Sequence, residues 1–314
     1  MILLLQYTLI FASVLMLVAL GGCFAERSGV INIGLEGIMV IGALGGAIVL
    51  KFLPATVGVP VMVLATIAAS ALLGLLYSLF LAVAAINFKA DQTITGTAMN
   101  MLATAGATVA VKAMNTAASG GNDVSSDISY AHTKDLLIVR LGEFEFNWFM
   151  LVAVICLIAS FVALYRAKFG LRLRSCGEHP QAADSVGINV YKMRYAGVLI
   201  SGLLAGLGGI VYITAGVSVW KFENGVAGFG FLAMAVMIFG GWHPIKIALV
   251  SLLFGFCRAL GNVYAGFDLL AELNIPSVVY NMLPYVISLL VLSFASTKSL
   301  GPKAAGVPYD KGSR

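Results

Sequence analysis

The chain has 314 residues, of which 60% are hydrophobic and 11% charged, and its mean hydropathy is +0.98. Because soluble domains carry about a quarter charged residues, this composition excludes an ordinary soluble domain and predicts an all-α polytopic membrane protein. The net charge is only +5. Most basic residues fall in segments that we place on one side of the membrane, so the charge indicates topology and not nucleic-acid binding.

Hydropathy predicts nine apolar segments, most of them close to the 20 or so residues needed to cross the hydrocarbon core of a bilayer. The predicted segments are 3–23, 30–50, 57–86, 93–113, 147–165, 195–216, 226–241, 245–264 and 278–296. The third is long enough to be tilted, and the seventh is short and rich in glycine. We expect about nine transmembrane helices, between eight and ten, in a single membrane domain that covers residues 1–314.

The segment 166–194 is the only long, strongly charged stretch, with six Lys or Arg residues against two acidic ones. The positive-inside rule places it in the cytoplasm. Counting spans from it predicts that 24–29, 87–92, 242–246 and the tail from Lys298, including the C-terminus, lie inside. The segments 51–56, 114–146, 217–225 and 265–277 are predicted outside. The external loop 114–146 holds five acidic and two basic residues, which agrees with that side.

Polar residues inside apolar segments are candidates for a transport pathway. Asn32 and Glu36 are four apart and are expected to share one helix face. The other candidates are Asn100 in the fourth segment, after Thr93, Thr95 and Thr97, then Arg258 and Asn262 in the eighth and Asn281 in the ninth. Such a lining suits a polar, uncharged solute better than an ion, because no chain of acids or histidines crosses the membrane. The alternative is that these side chains only hold the bundle together.

Two glycine pairs have GxxxG spacing, Gly42 with Gly46 and Gly202 with Gly206. Small residues let helix backbones approach each other in lipid, and we predict that these pairs serve packing within the bundle and not a dimer interface. The sequence has no GxxxxGK[ST] phosphate loop and no nucleophile or metal constellation, and its four cysteines are scattered. We therefore predict a chain that is not an enzyme on its own and holds no metal or disulfide.

The segment 177–188 has its own local pattern. Pro180 fixes its own φ and biases the preceding residue away from the helical region, so the chain should turn there and a short helix should begin. Ala182 and Ala183 are small helix formers that would let a groove of another protein close around the backbone. Gly187 then allows the helix to end. We interpret the segment as a cytoplasmic docking element.

Three stretches carry a resemblance to a known family. Residues 26–37, ERSGVINIGLEG, followed by Gly42-Ala43, resemble the start of the permease subunits of bacterial ABC importers of the ribose and branched-chain amino acid superfamily. The pattern GEHPxAADxxGI at 177–188 resembles their ATPase-contacting loop, and its Glu-His-Pro is more similar to the nucleoside-uptake branch than to the sugar permeases, many of which have Asn before the proline. The tail 301–309, GPKAAGVPY, resembles the same branch.

The resemblance implies a type II ABC importer fold, similar to the vitamin B12 importer, in the bacterial plasma membrane. The ATPase-coupling residues that it implies are Gly177, Glu178, His179, Pro180, Ala182, Ala183, Asp184 and Gly187. It also implies a second permease subunit, often non-identical, a cytoplasmic ABC ATPase that uses ATP and Mg²⁺, and an extracytoplasmic substrate-binding lipoprotein. No cofactor is expected on this chain.

The substrate implied by this branch is a nucleoside, imported by alternating access. Riboflavin or a simple sugar stays open as an alternative, since related permeases share much of the pattern. From other classes, an ion-coupled secondary transporter would need an inverted repeat with matched broken helices, and we see none. A purely structural membrane scaffold is disfavoured by the patterned segment 177–188.

Overall fold

The computed structural model describes residues 2–128, 137–142, 144–216, 221–267, 276–294 and 301–312. Its helices are α1 (Ile2–Arg27), α2 (Leu35–Phe52), α3 (Val59–Ala82), α4 (Gln92–Ala118), α5 (Trp148–Phe161), α6 (Lys168–Glu178), α7 (Pro180–Ser185), α8 (Val190–Val211), α9 (Phe229–Phe239), α10 (Pro244–Val263) and α11 (Ser277–Phe294). Wider π-type turns extend α3, α5 and α8 over Val83–Asn87, Val162–Arg166 and Tyr212–Gly216. A two-stranded antiparallel hairpin, β1 (Ile138–Leu141) and β2 (Phe144–Asn147), precedes α5.

Each of the nine apolar segments contains a helix, but they are not all full spans. Within the described residues, seven helices are long and apolar enough to cross a membrane: α1 to α5, α8 and α10. Helices α3, α5 and α8 are counted together with their π turns. Helix α9 has 11 residues, about 16 Å at 1.5 Å per residue, against a hydrocarbon core of about 30 Å. The predicted span 226–241 is therefore only a half-length helix.

The second predicted span begins later than expected. Residues 28–34 are not helical, and α2 starts at Leu35. Gly29 has a φ of +96°, which a side chain would disfavour, so α1 ends there and the chain turns before α2. The expectation that Asn32 and Glu36 share a helix face is wrong, because Asn32 lies in this turn.

Helix α1 is buried along most of its length and packs against α8 and α10, while α8 also packs against α2 and α3. Glycines make these close contacts possible. A Cβ placed on Gly42 would collide with the backbone of Gly206, and one on Gly202 would collide with Ser78. The GxxxG pairs thus pack inside the chain, as predicted, with backbones in direct contact.

The connecting segments sort to two ends of the bundle. The inner end, defined here by residues 166–194, also carries the turn at Gly29, the turn at Lys89, Trp242 and the tail 301–312, which touch one another. The outer end joins Lys51 to Asn115, and Ser126 to Phe222. This grouping agrees with the predicted inside and outside sets, although parts of 114–146, 217–225, 265–277 and the tail at Lys298 lie outside the described residues.

The loop predicted at 114–146 begins later than expected. Helix α4 continues to Ala118 instead of ending near 113, and the hairpin before α5 was not expected. Its strands pair in register from Ile138 opposite Asn147 to Leu141 opposite Phe144. Asn147 then caps α5 by accepting from the backbone N–H of Phe149 at 2.9 Å.

Candidate functional site: a polar groove along α4 and a coupling segment at the inner end

A groove of about 720 Å³ runs along α4 and is bounded by the start of α2 and the start of α9. Its polar lining is Glu36, Thr97, Asn100, Thr104, Thr108 and Glu223, and its apolar lining is Met101, Ala105, Val109 and Phe231. The α4 residues recur at intervals of three or four, so they form one stripe on one helix face. A stripe of hydroxyls beside apolar surface can bind a solute that is partly polar and partly flat and apolar.

The threonine hydroxyls of the groove already have acceptors. Thr97, Thr104 and Thr108 each donate to the carbonyl oxygen four residues earlier, at 2.8, 3.3 and 2.7 Å. A hydroxyl that has donated its proton keeps lone pairs that can accept. The stripe therefore offers acceptors to a solute that brings O–H or N–H donors.

Asn100 joins the wall of the groove to the start of α2. Its Oδ1 accepts from the backbone N–H of Gly37 at 2.7 Å, and its Nδ2 donates to the carbonyl of Ile33 at 2.9 Å. Both ends of the amide are thus used to hold the irregular start of α2 against α4. Asn100, one of the predicted pathway residues, lines the groove, and its amide hydrogen bonds are within the chain.

Glu36 lines the groove and caps the half-length helix α9. Its Oε1 accepts from the backbone N–H of Gly228 at 2.8 Å, and its Oε2 accepts from that of Gly230 at 2.6 Å. A carboxylate at a helix N-terminus satisfies free N–H groups and interacts favourably with the helix dipole. Glu36 therefore holds α9 against α2 at the side of the groove.

An ion pair lies at the outer end of the groove. Lys112 of α4 and Glu223, in the turn before α9, approach to 2.6 Å. The hydrogen bond from Lys112 is the main reason that the pKa of Glu223 is lowered, and the charge of the lysine adds to it. The pair links α4 to the 222–224 turn where the groove opens.

The other four predicted pathway residues lie elsewhere. Asn32 is 1% exposed and donates to the Ser201 hydroxyl at 2.9 Å, inside the bundle. The other three are on α10 and α11. Arg258 lies over the Phe229 ring at 5.4 Å, Asn262 is exposed, and Asn281 packs on Gly261. None of these four residues is among those that line the groove.

Sequence reasoning missed Thr104, Thr108, Glu223 and Phe231. The first two could have been found, because Thr97, Asn100, Thr104 and Thr108 share a helical period in α4. Glu223 and Phe231 could not, since the turn that brings them to α4 is more than 100 residues away in sequence.

A second cavity, of about 550 Å³, lies among α1, the hairpin, α5 and α10. Its lining is apolar apart from Ser13, whose hydroxyl donates to the carbonyl of Leu9 at 2.7 Å. A polar solute would lose its hydration there without compensation. The groove along α4 is therefore the better candidate for a polar solute.

The segment 177–188, called the coupling segment here, has the local structure that was predicted. His179 is not helical, with φ −145° and ψ 84°, and Pro180 is the first residue of α7. Gly187 has a φ of +85° and donates to the carbonyl of Asp184 at 2.9 Å, while Ile188 donates to that of Ala183 at 3.0 Å. These two bonds form a Schellman motif that ends the helix.

The two alanines of the coupling segment face in opposite directions. Ala183 is 3% exposed and belongs to a small internal cluster, whereas Ala182 is exposed. His179 and Gly187 are exposed, Glu178 and Asp184 are half-buried, and Pro180 is buried. Of the two alanines, only Ala182 can therefore contact a partner directly. The expectation that both small side chains let another protein pack closely against the backbone is wrong for Ala183.

The coupling segment is tied to α1. Glu178 lies 3.7 Å from the Arg27 guanidinium, and a Cβ on Gly177 would collide with the carbonyl of Arg27. Arg27 in turn donates to the carbonyl of Trp242 at 3.3 Å. The coupling segment is thus in direct contact with the inner end of α1 and, through Arg27, is linked to the α9–α10 turn.

Residues 4–293 match the family model described as the branched-chain amino acid transport system / permease component. The chain is 41% identical to the guanosine ABC transporter permease protein NupQ of Bacillus subtilis (98% of this chain, 96% of the relative). It is 39% identical to the nucleoside ABC transporter permease protein NupC of Lactococcus lactis (96% and 95%). A likeness to PsaBC from Streptococcus pneumoniae, solved in complex with Fab, has a TM-score of 0.49 at 15% identity (95% of this chain, 94% of that chain). The chain belongs to the family of branched-chain amino acid transport system permease components.

Proposed function

We propose that the chain is one permease subunit of an ATP-driven importer that carries nucleosides into the cell by alternating access. The observation that carries the proposal is the similarity, over nearly the full length, to two permeases named for guanosine and nucleoside transport. The groove supports it, because ribose hydroxyls and base N–H groups are donors that suit the free lone pairs of Thr97, Thr104 and Thr108. Met101 and Phe231 provide apolar surface for a flat base.

The same groove disfavours an anionic solute. Its charged lining residues are Glu36 and Glu223, and the Lys112 that faces Glu223 is already paired at 2.6 Å. Bringing a phosphate beside two carboxylates in a low-dielectric site is costly. A neutral nucleoside fits better than a nucleotide.

The partners follow from the assembly of such systems. A second permease would close the groove on the side that is open in this chain. The Lactococcus protein NupB, also a nucleoside ABC transporter permease protein, is 24% identical to this chain (76% of this chain, 67% of the relative), so two non-identical permeases of this kind occur in one organism. A cytoplasmic ABC ATPase using ATP and Mg²⁺ would dock on the coupling segment, and an extracytoplasmic binding lipoprotein on the outer end.

In this arrangement the inner end lies in the cytoplasm, with the C-terminus on that side, because the basic segment 166–194 and the tail 301–312 meet there. The half-length helix α9 and the 18-residue helix α11 would complete a bundle of the type II importer kind beside the seven helices that are long and apolar enough to span. ATP binding would move the coupling segment, and its contacts with Arg27 would pass that movement to α1.

The test is uptake by cells that express the chain with its partner subunits in a strain without nucleoside transport. Labelled guanosine, adenosine and uridine should enter, and labelled glucose and riboflavin should not. Entry of glucose or riboflavin without nucleosides would overturn the proposal, and glucose is a meaningful competitor because the Haloferax volcanii glucose ABC transporter permease protein TsgB13 is 27% identical (73% of this chain, 61% of the relative).

A matched pair of substitutions tests the groove itself. Thr104→Val removes one hydroxyl from the groove, and we expect KM for nucleoside uptake to rise about 2- to 10-fold, since a neutral hydrogen bond contributes about 0.5–1.5 kcal/mol. Thr66→Val is the control, because Thr66 is buried in α3 and makes the same bond to the carbonyl four residues earlier, away from the groove. Equal KM values in the two variants would remove the threonine stripe from the pathway.

A further inference from the structure

The tail 301–312 lies across the inner end and touches three separate parts of the chain. Its backbone makes hydrogen bonds from Ala304 N to the Gly177 carbonyl (2.9 Å), from Gly306 N to the Gly29 carbonyl (3.2 Å), and from Arg194 Nη1 to the Val307 carbonyl (3.0 Å). These contacts join the end of α6, the α1–α2 turn and the start of α8. The tail therefore bridges the coupling segment and the membrane helices.

Tyr309 occupies the space beneath the coupling segment. It is 4% exposed and forms, with Cys176, Ala183 and Val190, a buried cluster separate from the main core. Its ring also lies edge-on to Tyr191 at 5.4 Å. The residue that faces inward from α7, Ala183, thus rests on a side chain contributed by the tail.

Arg194 connects this cluster to α8. Its side chain is 1% exposed, donates to the carbonyl of Val307, and has its guanidinium 5.9 Å from the centre of the Tyr309 ring. A buried charge is tolerated only where polar or aromatic groups compensate it. Removing the tail would take away two of these compensating contacts, so the tail and α8 are energetically linked.

The far end of the tail is held by a fourth part of the chain. Asp310 pairs with Lys89, in the turn between α3 and α4, at 2.7 Å. The hydrogen bond from Lys89 is the main reason that the pKa of Asp310 is lowered. An exposed pair of this kind adds little stability, so it aligns the tail while Tyr309 and Arg194 provide most of the attachment.

We propose that residues 301–312 form a strap that fixes the coupling segment to the inner ends of α1, α3 and α8, with Tyr309 as the positioning residue. Movement of α7 reaches the membrane helices only while Tyr309 fills the space beneath Ala183. Without it, α7 can yield into that space, and ATP hydrolysis by the partner is no longer matched by movement of the groove. The inference rests on the proposed role as the permease of an ATP-driven importer.

The first readout needs no transport. In a chain whose Cys23, Cys156 and Cys257 are replaced by alanine, Cys176 is the one remaining thiol, and it lies buried in the Tyr309 cluster. Burial raises the pKa of this thiol, which slows its reaction with maleimide further. In inside-out membranes, Tyr309→Ala should make Cys176 react rapidly, whereas Tyr309→Phe and Lys311→Ala should leave it protected.

The second readout is the complete complex in proteoliposomes, in which ATP hydrolysis and solute uptake are measured together. For Tyr309→Ala we expect uptake per ATP hydrolysed to fall by about 2- to 30-fold, with Tyr309→Phe close to the unsubstituted chain. The Lys311→Ala variant controls for a general effect of changing the tail, since Lys311 is exposed.

Protection of Cys176 in Tyr309→Ala, or exposure of Cys176 with an unchanged ratio of uptake to hydrolysis, would overturn the strap. If the unsubstituted complex carries no nucleoside, the proposed function fails on its own, and the strap is then judged by Cys176 labelling and by the ratio for whichever solute is carried. If Tyr309→Ala does not assemble, a milder Tyr309→Leu variant must show the same loss of coupling for the proposal to stand.

Discussion

The groove and the coupling segment obtain their structure in different ways. The coupling segment depends on neighbours in sequence: Pro180 begins its helix, and the bonds from Gly187 to Asp184 and from Ile188 to Ala183 end it. The groove depends on distant partners, because Asn100 binds residues 63 and 67 positions away and Glu36 binds residues 192 and 194 positions away. Local sequence rules therefore account for the coupling segment, whereas tertiary packing determines the groove.

The two regions also differ in which of their groups are left available to other molecules. In the groove, the amide of Asn100 and the carboxylate of Glu36 are used within the chain, so the wall has its shape before a solute arrives. The coupling segment directs Ala182 outward while Ala183 rests on the tail, so its outer face is available to a partner. On the proposed function, the groove would thus be preorganised for a small ligand, and the coupling segment would be supported from behind for a macromolecular partner.

The largest effect is expected where a partner must fit against the outer face of α7. Ala182→Trp adds a large side chain on this exposed face without disturbing the internal cluster, and it should abolish uptake and release the ATPase subunit from the purified complex. Ala182→Ser, a small change at the same position, should be nearly silent. Copurification of the ATPase with the tryptophan variant, together with normal uptake, would show that α7 is not the docking surface.

An all-or-none test compares the two ends of the bundle. Val124, at the outer end, is 63% exposed, and Val186, in the coupling segment, is 74% exposed. A membrane-impermeant maleimide added to intact cells should label Val124→Cys and not Val186→Cys, and inside-out vesicles should give the opposite result. Both valines are exposed and lie on opposite ends, so each variant controls for the other. The reverse pattern would invert the proposed topology.

Hydropathy predicted the positions of the helices well, because a run of apolar residues has few alternatives in lipid. It could not distinguish a full span from a half-length one at α9, where Gly240 and Gly241 end the helix inside an apolar run. It also began the second span at residue 30, too early, since residues 30–34 after Gly29 are mostly apolar and only the backbone conformation shows that they are not helical.

The candidate site was predicted only in part for a similar reason. Of the predicted pathway residues, Glu36 and Asn100 line the groove, but three of the partners that fix their orientation, Gly228, Gly230 and Gly37, carry no side chain that a pattern could detect. Arg258 and Asn281 are polar residues inside apolar segments, which is why they were predicted as pathway residues, but they pack against other helices. In the coupling segment, helix α7 has only six residues, too few for a periodic pattern to show which face is buried. The sequence therefore could not show that Ala183 faces the tail.

The smallest effect concerns how tightly the groove is built, and it compares two helix glycines. A Cβ on Gly37 would lie 2.8 Å from the carbonyl oxygen of Met99 and 2.9 Å from the Cα of Asn100, so Gly37→Ala must separate α2 from α4. We expect a loss of about 1–3 kcal/mol in stability, as for other overpacked sites.

Gly106→Ala is the matched control on the exposed face of α4, where a Cβ meets nothing within 4 Å. It should be neutral or slightly stabilising, since alanine is favoured over glycine in helices by about 1 kcal/mol. Thermal unfolding of the two purified variants in the same detergent measures the difference. Equal midpoints would show that α2 can move away from α4 without cost, and that the contacts of Asn100 do not keep the groove in shape.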